Sequence, residues 1–243
     1  MSISNIFKPK FKYQLQRVGK NNDGGYLVGI NTIKQSKVLI SYGINDDWSF
    51  EKKFCKINNK IKIMTFDDKL NFFFLLNKLL NNFFKIFLPS YKSFFLRSVL
   101  NIFDYFFFIK YKHEQKKIII GDTLKIIKKN SLIFFKIDIE GSEYQVLDEL
   151  IKIKNKITGI VIEFHYPEKN LQKIKSFIKK INLKLTHIHG NNFWGINRKG
   201  NPNLLEITFE KNPKIISKKI KLPHALDMPN NPYKKDLTLN FSK

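Results

Sequence analysis

Acids and histidines follow several short apolar segments of this 243-residue sequence. The acids are Asp67, Asp138 and Glu140, and the histidines are His165 and His189. A carboxylate can accept both hydroxyl hydrogens of a ribose diol, and an imidazole titrates near neutral pH, where it can take a proton from a substrate hydroxyl. The pattern therefore favours a site that binds a nucleoside-type ligand and transfers a proton.

The clearest of these segments, 131–150, has the pattern of a strand, a tight turn and a helix. Its first half is rich in Ile and Phe, as in a strand buried on both faces. After the turn, apolar residues recur at helical spacing, and Ser142 and Glu143 suit the first turn of a helix. Asp138 and Glu140 then lie at the carboxyl end of the strand, which is where ligands bind in open α/β sheets.

Six further segments have the length and composition of strands, and helical patterns separate most of them. This alternation predicts an α/β fold: a Rossmann-like, seven-stranded, mostly parallel sheet that ends in an antiparallel edge hairpin. We expect one domain over residues 1–243, since this length suits a single α/β core. The six further strands are predicted at 37–42, 61–66, 117–120, 157–164, 183–188 and 204–209.

Residues 69–112 are unusually rich in Phe and Leu. Apolar residues from Phe72 to Phe83 share one helical face, and Pro89 and Ser90 interrupt the pattern before a second apolar helix. The segment predicts a helical hairpin inserted between the second and third strands. We favour packing of this hairpin on the sheet or on a second copy of the chain, with a lid or a peripheral membrane contact as the alternative.

The formal charge of +24 invites a nucleic-acid interpretation, because the chain has 44 basic and 20 acidic residues. Only Arg17, Arg97 and Arg198 are arginines, however, and lysine is the poorer residue for bidentate contacts to phosphates or bases. The lysines are also spread along the whole chain. We therefore do not expect nucleic acid to be the partner.

The one cysteine, Cys55, excludes an internal disulfide and a cysteine-built zinc site. The start of the sequence lacks the apolar core of a signal peptide. No uncharged apolar run reaches the roughly 18 residues of a membrane-spanning helix. We therefore expect a cytoplasmic protein that is soluble or at most peripheral to the inner face of the membrane.

Gly43 follows the first predicted strand at a turn before a helix, where a nucleoside-type cofactor can approach the backbone closely. Asp67 ends the second strand about twenty residues later, the usual position of an acid that holds a ribose diol. Neither the glycine series of a dinucleotide site nor a phosphate-binding P-loop is present in the sequence.

Three stretches around these residues carry a specific resemblance. The segment 134–150, FFKIDIEGSEYQVLDEL, closely resembles the hallmark segment of the FkbM family of S-adenosylmethionine-dependent methyltransferases. RVGKNNDGGYLV at 17–28 and SYGINDDWSFE at 41–51 resemble an N-terminal motif and the first methyltransferase motif of one subgroup. The likeness spans nearly the whole chain except 69–112, and the first motif keeps only one glycine, Gly43.

The resemblance implies a class I methyltransferase fold, S-adenosyl-L-methionine as cofactor, and a hydroxyl of a sugar or of a polysaccharide-pathway intermediate as acceptor. It also implies that Asp67 holds the ribose and that Asp138 ends beside the methyl-transfer centre. We expect His165 to act as the general base, with His189 as the second choice. The other expected contacts are Ser41, Tyr42, Gly43 and Asp122 for the cofactor, and Asn21, Asp23, Glu140, Tyr166, Asn191 and Asn192 for the substrate.

Three alternatives stay open. Asn231-Pro232-Tyr233 echoes the N-P-P-Y motif of RNA and DNA methyltransferases, although it follows the last strand and not the fourth. A non-catalytic protein of the membrane surface would use the Phe-rich hairpin. Divalent-metal assistance has no short local spacing to mark it, so no metal site is predicted, although suitable ligand types occur at Asp138, Glu163, His165, His187 and His189.

Overall fold

A computed structural model of the chain describes residues 3–85, 91–127 and 130–241. Seven of its strands form one central sheet, and short two-stranded pairs flank it. In chain order the strands are β1 (Lys12–Tyr13), β2 (Gln16–Val18), β3 (Tyr26–Val28), β4 (Val38–Tyr42), β5 (Lys62–Asp67), β6 (His113–Gln115), β7 (Ile133–Ile137), β8 (Ile157–His165), β9 (Lys184–Ile196), β10 (Pro202–Glu210) and β11 (Ile215–Ser217).

The central sheet has the strand order β6-β5-β4-β7-β8-β10-β9. Neighbours from β6 to β8 run parallel, whereas β10 is antiparallel to both β8 and β9. This arrangement confirms the predicted Rossmann-like α/β fold with an antiparallel edge. Because β4 pairs with both β5 and β7, the carboxyl ends of these three strands lie side by side at one edge of the sheet.

Helices cover both faces of the sheet. They are α1 (Ile30–Gln35), α2 (Ser49–Ile57), α3 (Phe72–Phe83), α4 (Tyr91–Asp104), α5 (Asp122–Ile127), α6 (Glu143–Lys152) and α7 (Leu171–Lys180). Phe134 packs with residues of α1 and α2, while its neighbour Phe135 packs with residues of α5, α6 and α7. Successive strand residues point to opposite faces, so burial on both faces explains the continuous apolar run of β7.

The third parallel strand is β6, and the prediction of a strand at 117–120 is wrong. His113 pairs with Thr65 and Gln115 with Asp67, whereas Ile120 is 70% exposed in the loop before α5. A three-residue edge strand has few buried positions, so its polar sequence shows no apolar pattern. His113 is instead secured by its ring, whose Nε2 lies 3.0 Å from the carbonyl oxygen of Leu70.

Strand β9 does not end near residue 188 as predicted but continues to Ile196. His189 is paired with Glu206 of β10 and Asn191 with Leu204, so these residues lie inside the strand and not beyond its end. Pairing with the long strand β10 overrides the polar sequence. The polar side chains find partners nearby, and Asn192 donates to the carbonyl oxygens of Asn231 and Lys234 in the C-terminal tail.

Helices α3 and α4 lie between β5 and β6 in the chain, as the predicted hairpin requires, and a π-helical turn follows at Tyr105–Ile109. The predicted break at Pro89 and Ser90 lies outside the described residues. Leu75 and Ile109 pack in a small buried cluster with Trp48. Packing covers only part of the hairpin, however, because several large apolar side chains remain exposed: Phe73 (72%), Phe84 (75%) and Phe107 (83%) among them.

None of the helices in the described part of the chain combines the length and the apolar character needed to span a bilayer.

His189 connects the sheet to the C-terminal tail. Its Nδ1 lies 3.1 Å from Glu206 Oε2, and its Nε2 lies 3.0 Å from Asp236 Oδ1. Burial lowers the pKa of His189, but the bonds to Asp236 and Glu206 outweigh this effect and raise the pKa to about 10. Asp227 also raises it, and His187 stacks on the ring. The imidazole is therefore a cation at neutral pH.

We predict that Asp236→Asn destabilises the fold. Hydrogen bonds to charged groups contribute about 1.5–3 kcal/mol, and each kcal/mol corresponds to roughly 2–4 °C in Tm for a chain of this size. Because the pKa of His189 is raised, the ion pair contributes fully below the unfolded pKa and is lost as the pH rises through about 10. The Tm difference between wild type and variant should therefore shrink between neutral pH and pH values above 10.

Calorimetric melting of both proteins across this pH range measures the effect. Asp148→Asn, on the exposed face of α6, is the matched control and should leave Tm unchanged. A Tm difference that is independent of pH would contradict the assignment of His189 as the charged partner.

Candidate active site

A cleft of about 770 Å³ opens at the carboxyl ends of β4, β5, β7 and β8. The loops that follow these strands form its floor, and Lys20 and residues 22–24 of the loop between β2 and β3 form part of its wall. Side chains of β9 close the other end, where Asn191, Phe193 and Trp194 reach the cleft. The cleft therefore lies at the edge of the sheet where the sequence predicted a site.

Gly43 forms the floor of the cleft without a side chain. It has φ +73°, and a Cβ at this position would overlap the carbonyl oxygen of Asp138. Its N–H donates to the carbonyl oxygen of Phe66 at 2.9 Å. Only glycine combines this backbone conformation with so close an approach of β4 and β7. Gly43 also lines the cleft, so its backbone is accessible to a ligand.

Asp67 lines the cleft and also organises its loops. Its Oδ2 accepts from the N–H groups of Ile44 (3.1 Å) and Asn45 (2.8 Å), and its Oδ1 accepts from those of Lys69 (2.9 Å) and Leu70 (3.0 Å). A carboxylate has about four acceptor positions, and these four N–H groups already use them, so a ribose diol would form additional, shared hydrogen bonds to the same oxygens. Asp67 therefore couples any ligand that it binds to the shape of two loops.

The lining of the cleft is acidic although the chain as a whole is strongly basic. It contains eight acids and six lysines or arginines, whereas the sequence has 20 acids and 44 basic residues. Some of the charges are paired across the cleft, as Lys20 with Asp47 at 2.6 Å and Lys69 with Glu140 at 3.2 Å. A cleft of this composition suits a ligand that carries positive charge.

Three titratable side chains meet at the ends of β7 and β8. Ligand-type atoms of Asp138, Glu163 and His165 all lie within 4.8 Å of one another. Glu163 Oε1 lies 3.6 Å from His165 Nε2, and Glu163 Oε2 accepts from Asn191 Nδ2 at 2.9 Å. Tyr26 donates its hydroxyl to Asp138 Oδ2 at 3.4 Å. We call Asp138, Glu163 and His165 the rim cluster.

Burial changes the proton affinity of the rim cluster. It raises the pKa of Asp138 to about 6, and the positive charges of Lys136 and His165 limit the rise. Burial, together with the charges of Asp138 and Glu206, raises the pKa of Glu163 well above its usual range. For His165 burial lowers the pKa, but Glu143 and Asp138 outweigh this and raise it. The rim cluster is therefore a place where a proton is readily held.

Lys136 and the aromatic residues of β9 are functional candidates that were not predicted. Lys136 lines the cleft from the middle of β7, and its signal in the sequence was a charge inside an apolar run. Trp194 lies 5.3 Å from the ring of His165 and 5.5 Å from that of Tyr166 between ring centroids. No pattern in the sequence marks Trp194, because it reaches the cleft only through the extension of β9.

Several expected cofactor contacts do not line the cleft. Ser41 and Tyr42 are fully buried within β4, and the Tyr42 hydroxyl donates to Thr123 Oγ1 at 3.3 Å on a face of the sheet. Asp122 pairs with Lys116 at 2.8 Å and accepts from the N–H of Ile119. Gly43, Asp67 and Asp138 are the expected cofactor residues that the fold brings to the cleft.

The expected substrate residues divide in the same way. Asp23, Glu140 and Asn191 line the cleft together with His165. The others do not line it. Asn21 is exposed on the loop beside it, and Tyr166 makes a tilted ring contact with Trp194. Asn192 binds the tail, and His189 has both ring nitrogens occupied by carboxylates. The Ser142 side chain makes no capping hydrogen bond to α6; instead Glu143 Oε2 accepts from the N–H of Gly141 at 2.8 Å.

The model of the methyltransferase FkbM domain matches residues 19–191 of the chain. This range includes the loop beside the cleft, the Gly43 turn, Asp67, the rim cluster and Asn191. The chain belongs to the FkbM methyltransferase family. No curated protein sequence matches it significantly.

Solved methyltransferases overlap loosely with this FkbM methyltransferase. Precorrin-6y C5,15-methyltransferase from Geobacter metallireducens has a TM-score of 0.39 at 12% identity, over 75% of this chain and 86% of its own. M. capricolum TrmK, in complex with S-adenosyl-homocysteine, has a TM-score of 0.36 at 15% identity, over 76% of this chain and 68% of its own. An O-methyltransferase from Bacillus cereus has a TM-score of 0.34 at 11% identity, over 74% of this chain and 76% of its own. Overlaps this loose carry no argument about the acceptor.

As an FkbM methyltransferase the enzyme uses S-adenosyl-L-methionine, and the cleft fits this cofactor. The backbone of Gly43 lines the cleft, and the acidic lining suits a molecule with sulfonium and ammonium charges. Asp67 supplies carboxylate oxygens at the end of the second parallel strand, where a ribose is bound in folds of this class.

We predict that Asp67→Asn weakens binding of S-adenosylmethionine by roughly 10–100-fold, because hydrogen bonds to a charged group contribute about 1.5–3 kcal/mol. Titration calorimetry with wild type and variant measures the loss. Asp68→Asn, the neighbouring acid of the same lining, is the matched control. Equal losses in the two variants would point to net charge alone, and an unchanged affinity of Asp67→Asn would contradict the ribose assignment.

Proposed function

We propose that this enzyme methylates a hydroxyl group of a sugar or of a glycan-pathway intermediate, as in the synthesis of a polysaccharide. The observation that supports it best is the position of the rim cluster beside an aromatic wall. Trp194 is 47% exposed and packs against His165, and Phe193 and Tyr166 are exposed beside it. A proton acceptor next to exposed rings suits an acceptor molecule that is hydroxylated on its edge and apolar on its face.

A sugar ring has this character. Its C–H face packs on aromatic rings, whose faces carry partial negative charge, and its hydroxyls bond to carboxylates and amides. The amide of Asn191 and the carboxylates of Asp23 and Glu140 line the cleft together with this wall. We assign these three residues to the acceptor, and Gly43, Asp67 and Asp138 to the cofactor.

When bound, S-adenosylmethionine supplies a methyl group on a sulfonium sulfur, which keeps the electron pair of the C–S bond as the acceptor oxygen bonds to the carbon. The cleft must align the acceptor oxygen in line with that bond, which is the larger part of the acceleration. The rim cluster takes the hydroxyl proton, and His165 is the member next to the aromatic wall.

Methylation of RNA or DNA is the competing assignment, and two observations weigh against it. The acidic lining disfavours a phosphate backbone. Asn231 of the Asn231-Pro232-Tyr233 sequence exchanges hydrogen bonds with Asn192 and so holds the tail on β9, while Tyr233 is almost fully exposed and does not line the cleft.

We predict transfer of labelled methyl from S-adenosylmethionine to sugars or nucleotide-linked sugars, and none to bulk RNA. His165→Ala should keep its affinity for the cofactor and lose roughly 10²–10⁴-fold in turnover, since the proton acceptor is removed. His224→Ala, a half-buried histidine of the tail, is the matched control and should retain turnover. Label found in RNA alone would overturn the proposed acceptor, and near-normal turnover of His165→Ala would overturn the role of His165.

We further propose that residues 1–243 form one domain in which 69–112 is an insertion that contacts the inner, cytoplasmic face of a membrane. The exposed rings of this segment support the assignment over packing alone, and Phe107 in the π-helical turn after α4 is 83% exposed. Lys92, Arg97 and Lys110 are exposed on the same segment, so its surface combines apolar side chains with positive charge. An anionic bilayer complements both properties.

We predict that the protein floats with vesicles that contain phosphatidylglycerol. Phe107→Glu should reduce recovery without lowering Tm, because an exposed side chain contributes little to packing. Tyr233→Glu, with the same charge change on the tail, should float like wild type. At about 1 M salt, where the Debye length is about 3 Å, the aromatic contribution should leave partial recovery. If no protein floats with the vesicles at high salt, the membrane contact depends on lysine charge alone and the proposed aromatic contribution is wrong.

A further inference from the structure

The rim cluster brings carboxylate oxygens and an imidazole nitrogen, all of them electron-pair donors, close together. Glu163 Oε1 lies 3.6 Å from His165 Nε2, and a carboxylate oxygen of Asp138 lies within 4.8 Å of both side chains' ligand atoms. Among the described residues, Nδ1 of His165 has no partner in hydrogen-bond geometry, although the side chain is only 4% exposed. Donor pairs that converge in this way repel one another unless a proton or a cation lies between them.

Glu143 favours the tautomer of His165 in which Nε2 carries the free electron pair. Its Oε1 accepts from the backbone N–H of His165 at 2.7 Å and lies 3.4 Å from Nδ1. A carboxylate beside Nδ1 keeps the ring proton on that nitrogen, so Nε2 presents its electron pair to Glu163 and Asp138. Histidines that bind metals are held by a carboxylate in the same way.

The carboxylates are oriented as well. Asn191 occupies Glu163 Oε2, which leaves Oε1 directed to His165, and Tyr26 contacts Oδ2 of Asp138. Lys136, the buried lysine of β7, does not fill the centre of the cluster: its Nζ is bound to the carbonyl oxygen of Gly43 at 3.2 Å and lies 3.9 Å from Glu51.

We infer that Asp138, Glu163 and His165 form a binding site for one divalent cation. Carboxylates suit Mg²⁺, Ca²⁺ and Mn²⁺, whereas imidazole suits transition metals, and Mn²⁺ is an ion that accepts both. Three protein ligands leave coordination positions open toward the cleft, since all three side chains line it. The site stands on these side chains alone.

Its role in catalysis rests on the proposed function. A hydroxyl that coordinates a divalent cation loses its proton more readily, and the proton passes to water of the cleft. In this refinement of the proposed function, the cation would hold the acceptor oxygen next to Trp194. His165 would then act as a ligand of the cation, in place of its role as the proton acceptor.

The test is whether the chelator-treated protein binds Mn²⁺. Binding is measured as the loss of the free-ion signal in electron paramagnetic resonance. We expect one ion per chain. Glu163→Gln keeps the shape of the side chain and should weaken binding roughly tenfold or more, and His165→Gln should do the same. Asp46→Asn, an acid of the same cleft outside the cluster, is the matched control and should bind like wild type.

Binding of S-adenosylmethionine and Tm, measured on every variant, show that each protein is folded. Absence of Mn²⁺ binding by wild type that binds the cofactor would overturn the inference and leave a shared proton in the cluster. Binding that survives both substitutions would overturn it too, because the ion would be held by other acids. Mn²⁺ binding without methyl transfer to sugars would instead contradict the proposed acceptor and leave the cation site standing.

Discussion

The carboxyl ends of β4 and β7 touch at Gly43, and the geometry of the cleft depends on this contact. A side chain at Gly43 would overlap the carbonyl oxygen of Asp138, while the N–H of Asp138 donates to the carbonyl oxygen of Tyr42 at 2.9 Å. The N–H of Gly43 binds Phe66 at the end of the neighbouring strand. These bonds align the ends of the three strands. Asp67 and Asp138 therefore lie along one edge of the sheet and line the same cleft as Gly43.

A buried lysine compensates the acids that gather at this edge. Burial lowers the pKa of Lys136, but Glu51 and Asp138 outweigh it and raise the pKa, so the side chain stays an ammonium group. Its position between the Gly43 carbonyl and Glu51 connects β7 to α2 beneath the cleft. Removing one partner of a buried ion pair costs about 3–5 kcal/mol of folding stability, so the fold retains the positive charge of Lys136 beneath the cleft. An acidic cleft can thus exist within a folded core.

The antiparallel end of the sheet separates two histidines that look equivalent in the sequence. His165 ends β8 and faces the cleft, whereas His189 lies inside β9 between Glu206 and Asp236. The first is placed for chemistry, and the second holds the tail on the sheet. The same extension of β9 carries Trp194 to the cleft, so one strand supplies both a structural ion pair and part of the wall around the acceptor.

The sequence by itself determined the α/β class, the strand–turn–helix unit around Asp138, and the positions of Gly43 and Asp67, because burial on both faces of a strand and turn chemistry are local signals. Tertiary structure decided the rest. The third strand is recognisable only through its pairing with β5, and the length of β9 only through its pairing with β10. The pairing of strands decides which histidine contacts Glu163 and where Trp194 lies. The spacing of residues within one strand carries no information about its register with another strand.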